Sequence, residues 1–202
     1  MQRSPARIGV LAVQGDFEAH GAALEALACE AVEVRRPEQL DDLEGLVIPG
    51  GESTTIMKGI DAYGLAEPVR AFAASSRPVL GTCAGLIVLD RRHLGVIDIE
   101  ARRNAFGRQV RSFEADLTIP GLGDEPLRAV FIRAPWIEHW GEGVEVLATI
   151  DGHAVVGRER NVLVAAFHPE LTDDLRLHAL FLSIGRASEP ATGGRLGREL
   201  AQ

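Results

Sequence analysis

Pro78-Val-Leu-Gly-Thr-Cys83-Ala-Gly85 sets a cysteine between close-spaced glycines, directly after a short apolar segment. A strand that breaks into a helix at such a point has the layout of a nucleophile elbow, where small flanking residues let the backbone bend and let substrate approach. In that geometry the amide of Ala84 faces a developing oxyanion, and the following helix N-terminus favours thiolate over thiol. The same residues also suit a small buried cysteine packed after a strand. Taken alone the stretch leaves both readings open, yet each puts a strand before Cys83 and a helix after it.

Working outward, residues 7–13 read as a buried strand, and Asp16 is placed to cap a helix whose Phe17, Leu24, Leu27 and Ala28 share one face. Residues 31–34, 45–48 and 78–81 read as further short apolar strands, with helical patterns over 54–60 and 67–74 between them. Strands alternating with helices predict an α/β fold: a mostly parallel central sheet flanked by helices. Short strands buried on both faces suit parallel pairing, which gathers ligand sites at the carboxyl ends of the strands. Three turns fall at such ends: Gln14-Gly15, Pro49-Gly50-Gly51-Glu52 and the Cys83 elbow.

Beyond Gly95 the texture changes. Residues 96–99, 109–117, 127–133, 144–150, 153–156 and 162–167 read as strands separated by turns such as Asp151-Gly152, which predicts an added antiparallel region. A last helix is expected from about Thr172, with Asp173 and Asp174 in its first turn and Leu177, Leu180, Phe181 and Ile184 on its buried stripe. Residues 1–187 are thus expected to form one domain. Residues 188–202, rich in Ser, Pro, Gly and Arg without periodicity, are expected to be a disordered tail.

Composition narrows the function classes. A chain of 202 residues, 46% hydrophobic, can bury a full core. A net charge of -8 argues against nucleic-acid binding, which needs a basic face. The first residues are polar and lead into an apolar run too short for a signal segment or a membrane span, so a cytoplasmic protein is expected. Two cysteines, Cys29 and Cys83, make no disulfide framework, and a reducing compartment leaves Cys83 able to react.

A second constellation, Phe167-His168-Pro169-Glu170, ends the 162–167 strand. Proline fixes the backbone between base and carboxylate, so Glu170 can reach one imidazole nitrogen of His168 while the other faces Cys83. That completes a nucleophile, a base and an orienting acid; taken alone, the tetrapeptide reads more readily as a strand-ending turn with solvated polar groups, and its pairing with the elbow is what favours the triad. Gly50 and Gly51 allow unusual backbone angles and leave amides unobstructed, so their loop suits an oxyanion hole, though a simple glycine turn capped by Ser53 or Thr54 fits too. A phosphate cradle ahead of the helix is the competing functional reading, but the loop lacks the G-x-x-x-x-G-K-[ST] spacing and no lysine follows until Lys58.

With these residues in view the chain resembles the class I, triad-type glutamine amidotransferases. The strings Val13-Gln-Gly-Asp16, Pro49-Gly-Gly-Glu-Ser-Thr-Thr55, Arg103-Asn-Ala-Phe-Gly-Arg-Gln109, Ser112-Phe-Glu-Ala-Asp-Leu117, Phe131-Ile-Arg-Ala-Pro135 and His168-Pro-Glu-Leu-Thr172 are similar to one branch. That branch comprises the glutaminase subunits of pyridoxal 5'-phosphate synthase. The resemblance implies that Cys83 attacks the side-chain amide of L-glutamine, that His168 moves the protons, and that Glu170 orients His168. It further implies an oxyanion hole at Gly51 and Ala84, glutamine contacts at Gly50, Glu52, Arg103, Ile132 and Arg133 as well as Gly51, and a synthase-interface role for Gln14. The implied partner is the synthase subunit, which receives the ammonia; no cofactor or metal is implied for this chain.

Two other readings stay open: a glutaminase serving a different synthase, and a non-catalytic docking subunit. The second is kept alive by one departure from the family, a short segment between the elbow and His93-Leu-Gly95, only residues 86–92. His20, His93, His139, His153 and His178 lack metal-ligand spacing and are assigned to core or solvent. Trp136 and Trp140 are expected at a surface edge or a partner contact.

Overall fold

The computed structural model describes residues 4–103, 105–106 and 112–187. Along the chain come β1 (Arg7–Leu11), α1 (Phe17–Ala26), β2 (Glu30–Val34), β3 (Gly45–Ile48), α2 (Ser53–Ala62), α3 (Ala66–Ala74), β4 (Val79–Thr82) and α4 (Ala84–Leu89). They are followed by β5 (Ile99–Arg102), β6 (Ser112–Leu117), β7 (Leu127–Ile132), β8 (Trp136–Trp140), β9 (Glu145–Ile150), β10 (His153–Glu159), β11 (Val162–Ala165) and α5 (Arg176–Ala187).

The main sheet runs β2-β1-β3-β4-β11-β10-β8-β5, with β9 beside β10, while β6 and β7 form a separate hairpin. Strands β2, β1, β3, β4 and β11 are parallel to one another, and β10, β8, β5 and β9 join antiparallel. Every residue of β3, β4 and β11 is buried, as continuous apolar runs covered on both faces should be. The chain reverses its direction of travel across the sheet between β1 and β3, the switch point where open α/β sheets hold their sites. The α/β fold with its added antiparallel region is therefore the one expected. Among the described residues no helix is long and apolar enough to cross a membrane.

Several boundaries differ from the expectation, each for a local reason. The strand expected at 96–99 begins instead at Ile99, because the amides of Val96 and Ile97 turn back to the carbonyl of Leu89 at 3.0 and 3.2 Å. That turn closes the short segment after α4. Asp90, 1% exposed, holds it by accepting from the amides of Arg92, His93 and Ala101 at 2.9, 3.1 and 3.2 Å. β8 was not expected, since its Glu138 and His139 are exposed and only Ile137 is buried. Trp136 and Trp140 lie on this strand, and Trp136 stacks on His153 with centroids 3.5 Å apart.

The last helix starts at Arg176 rather than near Thr172. Residues Pro169–Leu171 form a 3-10 turn, and Asp174 then accepts from the Arg176 amide at 3.0 Å and caps the helix from outside. Leu177, Phe181 and Ile184 are buried as expected, each stabilising the packing by about 1.5–3 kcal/mol. Asp16 takes the N-cap position of α1 but makes no side-chain cap bond. Residues 109–111 of one expected strand and the expected tail at 188–202 lie outside the described residues.

Candidate active site

Parallel register brings the two constellations together. Ala165 of β11 pairs with Thr82 of β4, and the Cys83 amide extends the ladder by donating to the Ala165 carbonyl at 2.8 Å. The chain then kinks: Cys83 has φ 47° and ψ -104°, a sparsely populated conformation held by its surroundings. Gly85 makes the kink possible, because a Cβ there would collide with the Ile48 carbonyl of β3. Cys83 is 7% exposed, and its Sγ lies 4.0 Å from the carbonyl oxygen of Ile132 at the end of β7.

His168 follows β11 by three residues, and its amide donates to the Val130 carbonyl at 2.9 Å, which ties the turn to β7. Its Nδ1 lies 2.7 Å from Glu170 Oε1, and Cys83 is the other group that acts on the ring. Burial alone pushes the imidazole pKa down; the hydrogen bonds and charges of Cys83 and Glu170 outweigh it and push the value up to about 10. Such a ring holds its proton firmly.

Behind this pair lies a second, wholly buried set. The side chains of Glu170 and His20 are both 0% exposed, and His20 Nε2 sits 3.3 Å from Glu170 Oε2 and 3.1 Å from Thr82 Oγ1. His20 Nδ1 is 2.9 Å from Nε2 of His178 on α5. Burial, then the neighbouring His178 and His168, hold His20 well below the ordinary histidine range, and burial pushes His178 down to about 4. Sequence reasoning left both residues among the core and solvent histidines. The signal was a histidine inside the apolar stripe of a helix, twice: His20 four residues before Leu24, and His178 between Leu177 and Phe181.

In front of His168 opens a cavity of about 330 Å³ whose wall includes Cys83, Ala84, Gly51, Ile132, Arg133 and His168. Gln14, Glu52 and Arg103 also reach it, so nine of the expected site residues meet at one opening. The other two stand back from it: Glu170 lies behind the imidazole, and Gly50 packs so close that a Cβ would come within 2.5 Å of His168 Cε1. Gln14 Oε1 accepts from the Glu52 amide at 2.7 Å, and the Asp16 amide donates to the Gly50 carbonyl at 3.3 Å, fixing the loop after β3 to the loop after β1. Arg103 Nη2 bonds Glu52 Oε1 at 2.8 Å. Asp16, His168 and Glu170 form the one group of three ligand-type side chains, among the described residues, close enough to share an ion. Two of those three are already bonded to each other.

Comparison with known proteins follows the same line. Residues 10–185 match the SNO glutamine amidotransferase family. The chain is 55% identical over 183 residues to pyridoxal 5'-phosphate synthase subunit PdxT of Pelotomaculum thermopropionicum, covering 87% of this chain and 93% of the relative. It is 50% identical over 208 residues to the PdxT subunit of Nocardia farcinica, covering 95% and 92%. A crystal structure described as a glutamine amidotransferase superposes with a TM-score of 0.84 at 47% identity, over 89% of this chain and 98% of the other. A structure of PurLQS from Thermotoga maritima, 19% identical and covering 93% and 100%, shares the fold with a TM-score of 0.70.

Proposed function

This chain belongs to the SNO glutamine amidotransferase family, and from that premise we propose that it is the glutaminase subunit of a pyridoxal 5'-phosphate synthase. It hydrolyses L-glutamine in the cytoplasm and hands the ammonia to a synthase subunit. The observation that carries the reading is the line Cys83, His168, Glu170 at the floor of a cavity rimmed by arginines.

Cys83 attacks the side-chain amide carbon of glutamine as a thiolate, and the oxyanion that forms is held by the amides of Gly51 and Ala84. The imidazolium of His168 gives its proton to the departing nitrogen, releasing ammonia and leaving a γ-glutamyl thioester. Neutral His168 then takes a proton from water as it attacks the thioester; collapse expels the Cys83 thiolate and glutamate. Glu170 keeps a proton on Nδ1, so that the other nitrogen does the work at each step. Arg103 and Arg133 suit the substrate α-carboxylate and Glu52 its α-ammonium, while Gly50 and Ile132 shape the wall. Gln14, which holds the Glu52 amide, suits a role in coupling this loop to the synthase.

The test is glutamine hydrolysis by the parent and by Cys83→Ala, each with and without the synthase subunit. The expected result is weak turnover alone, faster turnover in the complex, and a loss of at least about a thousandfold in the variant. Turnover retained by Cys83→Ala in the complex would sink the nucleophile assignment, and co-purification with a different synthase would redirect the pathway.

A further inference from the structure

Resting on the reading of Cys83, His168 and Glu170 given above, we infer that His20, oriented by His178, is a positioning residue that donates a hydrogen bond to the inner oxygen of Glu170 and thereby fixes the acid that fixes the base. Glu170 Oε1 is engaged by His168, but Oε2 is buried without a well-aligned hydrogen-bond donor, and His20 Nε2, 3.3 Å away, is the donor-capable group facing it. A buried carboxylate oxygen left without a donor carries its full desolvation penalty, so a proton on the facing His20 nitrogen favours the rotamer in which Glu170 is seen.

The direction of the bonds follows from what is left over. A neutral histidine donates from one ring nitrogen and accepts at the other. If His20 carries its proton on Nε2, it donates toward Glu170 Oε2 and Thr82 Oγ1, and its Nδ1 accepts from His178 Nε2–H at 2.9 Å. His178 Nδ1, buried without a partner, is then a lone pair and not an orphaned N–H. In the opposite arrangement His20 turns a lone pair toward the Glu170 carboxylate and His178 buries an N–H with nothing to receive it. The first arrangement has one mild defect, the second has two severe ones.

The groups facing His20 are Thr82 from β4, Glu170 and His168 from the turn after β11, and His178 from α5, while Asp16 of its own segment borders the cavity. His20 is therefore the link between α1 and the reacting base. It acts on the base through the groups it contacts, Glu170 first among them.

The decisive measurement is nitrogen NMR of histidine-labelled full-length protein, which reads imidazole tautomers whether or not the enzyme turns over. Both His20 and His178 are expected with the proton on Nε2; a His20 proton on Nδ1 overturns the proposal. The kinetic arm uses the complex with the synthase. His20→Leu is expected to lower kcat by at least about tenfold with KM within about twofold. The alkaline limb of its rate profile moves to lower pH, since a less firmly held carboxylate stabilises the His168 imidazolium less. His20→Gln, whose amide can donate to Glu170 and accept from His178, is expected to recover most of kcat and the parental limb. Parental kcat and limb in His20→Leu, or no recovery in His20→Gln, overturns the proposal. The tautomer measurement uses the unmodified chain, so it decides even where a variant fails to fold. Failure of the glutaminase reading would show separately, as absence of turnover in the parent.

Discussion

The two sides of the His168 ring are built from the same kinds of residue and behave in opposite ways. On the cavity side the Arg103 and Glu52 side chains are 47% and 52% exposed, and their ion pair lies in a half-solvated setting. On the inner side the His20 and Glu170 side chains are 0% exposed. An exposed pair is worth about 0–1 kcal/mol, so it breaks readily and its members can re-pair with a zwitterionic substrate. A buried polar group without its partner costs far more, which leaves the inner side a single arrangement. The outer half of the site is suited to exchanging partners, and the inner half to holding one geometry.

The largest way to break that contrast is Glu170→Gln, which keeps size and removes the charge shared by both sides. An amide cannot accept from His168 and from His20 as a carboxylate does, and it stabilises the wrong imidazole tautomer. The expected result is a loss of kcat of about a thousandfold or more, with KM little changed, by analogy with amide replacement of a triad acid. Retention of a tenth of parental turnover in the complex would mean that the inner side does not set the base.

Acid titration sharpens the comparison next. His178 has its pKa lowered to about 4, and His20 is shifted the same way, so below the ordinary histidine value the unfolded chain takes up protons that the native state refuses. Stability should therefore fall as pH drops from about 6.5 toward 4, by up to on the order of 3 kcal/mol for His178. His168 has the opposite sign. Its folded pKa is raised to about 10, so its contribution is fully present below about 6.5 and is lost as pH rises through 10. Urea unfolding between pH 6.5 and 5 should show a shallower dependence in His178→Gln than in the parent. An unchanged slope would mean that the buried pair is already protonated or already solvated.

How much of this was legible in the sequence divides along the same line. The Cys83 elbow, the glycine loop and the His168 turn were readable because each is a local break in an apolar strand, and parallel order then placed the breaks together. Strand 45–48 fell where apolar residues alone put it, buried at every position. The antiparallel half was less legible: in β8 the consecutive Glu138 and His139 are both exposed, which breaks the apolar alternation, and only pairing with β5 and β10 makes it a strand. The inner side was missed for a different reason. His20 and His178 are 158 positions apart, and their 2.9 Å contact is created by packing α1 and α5 on the sheet. No spacing rule for one segment can show a hydrogen bond of that kind; a lone histidine in each apolar stripe was its only trace.

The smallest expected effect tests the outer side alone. In Arg103→Ala the Glu52 ion pair is lost, but at a half-exposed position water replaces the guanidinium, so thermal stability should move by no more than about 1 kcal/mol. The proposed role of Arg103 is to receive the substrate α-carboxylate, an interaction made before and during the chemical step alike. Loss of such uniform binding raises KM and spares kcat. We expect KM for glutamine to rise about tenfold, as for a charge-assisted hydrogen bond of roughly 1.5–3 kcal/mol partly screened by solvent, with kcat within about threefold of the parent. A fall in kcat at unchanged KM would place Arg103 with the residues that set the base, and the division between an exchanging outer side and a fixed inner side would not survive it.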